Sequence, residues 1–146
     1  VAVGKLTAEE LKIILGGAEI RDESVVAISK GKDISEGMPM FFEVTAQEIN
    51  YAIRDCVDEI CKAITDVLEV TPPELVNDIT DNGIFLCGGM SKLYGIDKYI
   101  EEITGIRVKI PGNETNVSAL GCLRALNEEN YLKQNGYHFV SLETLE

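Results

Sequence analysis

Gly83-Ile-Phe-Leu-Cys-Gly-Gly-Met-Ser91 is the stretch on which the reading of this chain turns. The apolar run Ile84–Cys87 breaks at paired glycines and gives way to a helical pattern from Leu93 to Thr104. Buried strand, glycine turn and helix, in that order, set backbone N–H groups at a strand's carboxyl end, where open α/β sheets bind ligands. Glycine suits such a turn because a Cβ would hold a base, ribose or phosphate away from the main chain. The same pair also serves as a plain tight turn between a closely packed strand and helix, so its chemistry depends on what surrounds it.

Working outward, the punctuation predicts an α/β order. Thr7 with Glu10 has the spacing of a capping box, and Gly16-Gly17 would end the helix it opens. Ser24–Lys30 and Met38–Val44 read as the strands of a hairpin closed near Gly31. Thr45 and Glu48 form a second capping box that opens the longest helix, Ala46–Val70. Along it Ile49, Ile53, Val57, Ile60, Ile64 and Leu68 recur at three- and four-residue steps, predicting one buried face. Thr71-Pro72-Pro73 stops that helix, and Pro73 can start a short one through Leu75 to Ile79. Gly83–Cys87 and Ile106–Ile110 are expected to pair in a sheet covered by the long helix and by a last helix, Thr115–Glu128. In the tail, Tyr137–Leu142 has the pattern of a strand, and Glu143–Glu146 that of a frayed acidic end.

Composition sets bounds. The 146 residues suffice for one domain with a real core, and 45% hydrophobic with 26% charged residues is ordinary for a globular protein. A net charge of −12 without a basic cluster argues against nucleic acid as a partner. No apolar run approaches the ~20 residues of a membrane span, so no membrane anchor is expected in this segment, and Val1-Ala-Val-Gly4 does not read as a signal peptide. Cys56, Cys61, Cys87 and Cys122 include no C-x-x-C pair, and His138 is the single histidine, so no metal site is expected. These read as reduced, mostly core-facing thiols of a cytoplasmic protein. His138 has no nucleophile partner, and no catalytic residue is assigned.

Several ordered motifs carry a resemblance. Thr71-Pro-Pro-Glu-Leu75, Asp78-Ile-Thr-Asp-Asn-Gly-Ile84, the glycine turn, Gly95-Ile-Asp97, Glu102-Ile-Thr-Gly-Ile106 and Gly121-Cys-Leu-Arg-Ala-Leu126 follow one another at matching separations. Together with Gly4–Lys12 and Gly31–Pro39 upstream, they resemble the carboxy-terminal region of the MreB/Mbl family of bacterial actin-like, rod-shape-determining proteins. The resemblance runs from about Gly4 to Leu126. It implies an α/β fold: a partial actin/chaperone-like ATPase domain, a remnant of a ribonuclease H-like lobe, with a small α+β subdomain. The units would be residues 1–45 (helix plus hairpin), 46–129 (α/β lobe with the adenosine turn, the long helix shared by both) and the tail 130–146.

That resemblance implies ATP with Mg²⁺ as the cofactor of the intact protein, bound between two domains. It assigns adenosine contacts here to Glu9, Glu10, Leu11 and Lys12 and to Gly88, Gly89, Met90 and Ser91. Glu9 and Lys12 lie three apart and share a helix face; a carboxylate can accept from ribose hydroxyls and a lysine stem can lie against adenine. An exposed ion pair has the same spacing. The family usually carries a third glycine where this chain has Met90, whose side chain would narrow the groove or demand an unfavourable φ.

No Gly-Thr-Gly, Asp-x-Gly-Gly-Gly or P-loop phosphate cradle occurs in the sequence. Opening at Val1 within a family-like domain, the chain reads as a carboxy-terminal piece that neither hydrolyses ATP nor holds it by itself. The resemblance also implies self-association in head-to-tail filaments, at the inner membrane face, by the intact protein. The piece would carry part of that contact surface, and its exposed edges would favour a dimer or crystal contacts. Two other readings are open: a fragment of a sugar- or acetate-kinase-like enzyme of the same superfamily, and a stand-alone interaction module without nucleotide.

Overall fold

The computed structural model describes residues 1–137. The strand expected at Tyr137–Leu142, His138 and the acidic end therefore lie beyond, or almost wholly beyond, the described residues.

Helix α1, Lys5–Leu15, starts from Gly4 in an extended conformation, with no side-chain cap. Thr7 thus lies inside the first turn rather than ahead of it, and the expected Thr7–Glu10 box does not form. The Ala8 N–H already bonds to the Gly4 carbonyl at 3.0 Å, which places the helix start upstream of Thr7.

Strands β1, Val26–Lys32, and β2, Pro39–Thr45, pair antiparallel from Val26↔Thr45 to Lys32↔Pro39. Gly31 is paired with Met40, inside the ladder rather than at the turn. The connection is instead organised by Asp33, whose carboxylate accepts from the N–H groups of Ser35 (2.7 Å) and Glu36 (3.1 Å).

Helix α2 is continuous over Ala46–Val70, with both halves of the Thr45/Glu48 capping box present. Its fully buried residues are Ala46, Asn50, Val57 and Cys61. The inward stripe is therefore rotated from the isoleucine series: Ile53 and Ile64 are partly buried, and Ile60 is exposed. Helix α3, Pro73–Asn82, begins at the expected proline and outlasts Ile79.

Strands β3, Ile84–Phe85, and β4, Val108–Lys109, pair in parallel through Ile84↔Val108 and Phe85↔Lys109. Both are shorter than predicted, since Gly83 still caps α3 and Gly88 already turns away. Between them lie a 3₁₀ turn, Gly89–Lys92, and helix α4, Ile96–Thr104. Helices α5, Val117–Asn127, and α6, Glu129–Gln134, bury no residue. The expectation that the last long helix covers the sheet is not met: Leu120, Leu123 and Leu126 are exposed, and a two-stranded sheet has too little face to bury them.

Two clusters form the core. Leu11, Leu15 and Ala46 pack with Phe42 and Val44 around the hairpin. Ala18, Val57, Cys61, Ile96, Ile100 and Val108 pack between α2, α4 and the parallel pair. The reading of the cysteines needs correction, because only Cys61 is buried and Cys56, Cys87 and Cys122 are exposed.

Candidate functional site

A cleft of about 510 Å³ opens between α1 and the turn after β3, lined by Glu9, Lys12, Ile13, Gly89, Met90, Lys92 and Leu93. It is assembled from two segments far apart in the sequence. On α1 the three-residue step puts Glu9 and Lys12 on the wall facing the cleft while Leu11 turns into the core. Glu10 is exposed and Leu11 is buried, and neither is among the lining residues.

The glycine turn is braced from behind. The Gly88 N–H donates to the Glu114 carbonyl at 2.7 Å, and the buried Ser91 hydroxyl donates to the Gly88 carbonyl at 2.7 Å. Ser91 therefore holds the turn in shape, its one O–H donor committed to the backbone. Lys92 pairs with Glu114 at 3.3 Å. A hydrogen bond from its own backbone, and then the Lys92 ammonium, hold the Glu114 carboxyl below the usual glutamate value.

Gly88 and Gly89 are glycines for different reasons. Gly88 has φ +91° and ψ 176°, a region L side chains rarely adopt. Gly89 has no such φ, and a Cβ built on it would meet no atom within 4 Å. The protein's own packing does not demand glycine there, whereas close approach of a ligand would. The amides of Gly89 and Met90 donate to no protein acceptor among the described residues.

Met90 sits in the turn without strain, since no described residue other than glycine has a positive φ. Of its two expected effects only the steric one remains, with its partly exposed side chain forming part of the lining. Ile13, Lys92 and Leu93 escaped the sequence reading. Ile13 was discoverable as the residue four beyond Glu9 on the same helix, while Lys92 and Leu93 simply continue the turn.

The donor set suits a nucleoside: a carboxylate for hydroxyls, a lysine, an apolar floor and an open glycine. Among the described residues no group of three His, Cys, Asp or Glu side chains could hold a metal ion, and Lys12 and Lys92 are the only cations in the cleft. No described helix is long and apolar enough to cross a membrane.

Comparison with known proteins gives one family. The family model "MreB/Mbl protein" matches residues 1–134. Cell shape-determining protein MreB of Escherichia coli (strain K12) is 34% identical over 124 residues, covering 85% of this chain and 36% of that protein. Cell shape-determining protein Mbl of Bacillus subtilis (strain 168) is 34% identical over 121 residues, covering 82% of this chain and 36% of that protein. The crystal structure of MreB5 of Spiroplasma citri bound to ADP superposes with a TM-score of 0.85 at 30% identity, covering 93% of this chain and 41% of that one. The AMPPNP-bound form gives 0.84, again at 30% identity, over 94% of this chain and 41% of that one. The chain thus spans little more than a third of the length of these curated relatives, and its fold is an α/β portion of their actin-like ATPase fold.

Proposed function

The chain belongs to the MreB/Mbl family, and we propose that it supplies the adenosine-facing half of an ATP cleft in a longer actin-like cell-shape protein. The observation that carries this reading is the cleft itself, in which Glu9 and Lys12 of α1 stand opposite the open Gly89 and Met90. Two solved relatives are bound to ADP and AMPPNP, which supports a nucleotide there. Family membership displaces the sugar- or acetate-kinase reading.

In this reading Glu9 accepts from ribose hydroxyls, the Lys12 stem lies along the base, and the braced turn offers backbone amides. Gly88 and Ser91 keep that turn in shape. ATP with Mg²⁺ supplies the hydrolysable anhydride and its charge neutralisation, and both need phosphate-binding elements beyond this chain. The longer protein hydrolyses ATP and polymerises head to tail in the cytoplasm at the inner membrane face, organising cell shape and wall synthesis. Residues 1–45 act as its small subdomain and residues 46–129 as part of its α/β lobe.

Calorimetry tests the assignment. Each lost charge-assisted phosphate contact is worth about 1.5–3 kcal/mol, and each ~1.4 kcal/mol is tenfold. The chain alone should therefore bind ATP no better than millimolar. In the longer protein, Glu9→Ala and Lys12→Ala should each weaken ATP. Low-micromolar ATP binding by the 146-residue chain, or unchanged affinity in both variants, would overturn the reading.

A further inference from the structure

Among the described residues only two polar side chains are buried, Ser91 and Asn50. Ser91 braces the glycine turn. Asn50, 3% exposed on α2, lines no part of the cleft, and the nucleotide reading leaves it without a role.

The Asn50 Nδ2 points at the segment that leaves α1. It donates to the Gly17 carbonyl at 2.7 Å and lies 3.3 Å from the Ala18 carbonyl and 3.5 Å from that of Glu19. The opposite side of this segment meets the residue that follows the glycine turn. Gly17 bridges Tyr94 in parallel, and the Ala18 N–H donates to the Tyr94 carbonyl at 2.7 Å. A strap of a few residues thus joins the end of one cleft wall to the end of the other.

Ala18 is buried in the core cluster that Leu93 packs against, and the Arg21 guanidinium lies 4.7 Å from the centre of the Tyr94 ring, while the one backbone hydrogen bond adds about 0.5–1.5 kcal/mol net. An exposed ion pair, Lys98 to Glu19 at 3.9 Å, adds little. The Asn50 amide is different in kind, because its two N–H donors meet several carbonyls in a dry site where an unpaired group is costly.

We propose that Asn50 is a positioning residue for the nucleotide cleft: by clamping the Gly17–Glu19 strap against Tyr94, it sets the separation between the α1 wall and the glycine turn. Its consequence for adenosine rests on the proposed nucleotide reading, but its effect on geometry does not.

The test uses the isotope-labelled 146-residue chain. A ligand-free readout is available, since a Cβ built on Gly16 would lie 3.0 Å from Leu93 Cδ1, so a Gly16 Hα to Leu93 methyl NOE reports wall separation directly. Asn50→Asp keeps the shape and replaces the donor with an acceptor. It should lose most of that NOE at a temperature where the variant is folded, while NOEs between Ile100 and Val57 persist. Adenosine titrated in parallel should shift the Gly89 and Met90 amides in the native chain, with an initial slope about tenfold smaller in the variant. A merely stabilising role would lower the melting temperature and leave both readouts of the folded protein unchanged, and that result would overturn the proposal. Should Asn50→Asp not fold, Asn50→Ala reads the same two quantities by the same criteria. Absence of any adenosine response in the native chain would remove the nucleotide reading, with the NOE still deciding whether Asn50 sets the wall separation.

Discussion

The Arg54 guanidinium stacks 4.5 Å from the centre of the Tyr99 ring and donates to the Tyr99 hydroxyl at 2.7 Å. That hydroxyl in turn donates to Asp58 at 2.5 Å, so α2 grips α4 through one phenol. The hydrogen bond to Asp58, followed by burial, pushes the Tyr99 phenol above its ordinary value. A raised value means the contribution to stability is complete below the usual tyrosine range and is lost as pH rises through the raised one. Labelled-tyrosine NMR should show Tyr99 ionising later than an ordinary tyrosine, and Asp58→Asn should shorten the delay, leaving the part due to burial. Tyr99→Phe should cost about 1 kcal/mol in denaturant unfolding.

The Thr45/Glu48 box makes a prediction of opposite sign. Hydrogen bonds from the Thr45 N–H, then from its hydroxyl, hold the Glu48 carboxyl below the usual glutamate value. Its contribution is therefore present above the ordinary value and disappears as pH falls through the lowered one. Melting temperatures of the native chain and Glu48→Gln should converge on acidification; parallel curves would show that the charge is irrelevant. Thr45→Ala should cost about 1 kcal/mol at neutral pH.

The two glycines of the turn should separate folding from binding. Gly88→Ala places a side chain at φ +91° and should destabilise the chain by about 1–3 kcal/mol. Gly89→Ala meets no protein atom within 4 Å and should be neutral or stabilising by about 0.4–1 kcal/mol, yet weaken adenosine. A Gly89→Ala variant that binds adenosine as the native chain does would mean the open space is not a ligand's.

Thiol labelling under native conditions should modify Cys56, Cys87 and Cys122 quickly and spare Cys61. Burial, and then the nearby Asp58 charge, push the Cys61 thiol above its ordinary value. Mass spectrometry should find Cys61 labelled only after denaturant is added; native-state labelling of Cys61 at the rate of the others would show that the α2–α4 core opens.

Where the sequence reading succeeded and failed follows the range of the interactions involved. The ends of α2 were legible because Thr45, Glu48 and Pro72-Pro73 act on backbone groups within one turn of themselves. The Thr7 box failed by the same rule, since two starts one turn apart compete and Gly4 won. Glu9 and Lys12 were legible as a pair on one face, but their apposition to Gly89 was known only through family resemblance.

Residue order alone thus determined the succession of helices and strands as far as α5, the glycine turn and the family, all of which reside in local punctuation and motif spacing. Tertiary structure decided that Asn50 rather than Ile60 faces inward on α2, that Cys61 is the buried thiol, and that α5 buries none of its residues among the described ones. The physical reason is that periodicity defines a helix face to within a residue or so, whereas burial depends on which distant segment lies over that face. For Asn50 that segment is the Gly17–Glu19 strap, and no pattern within α2 encodes its arrival.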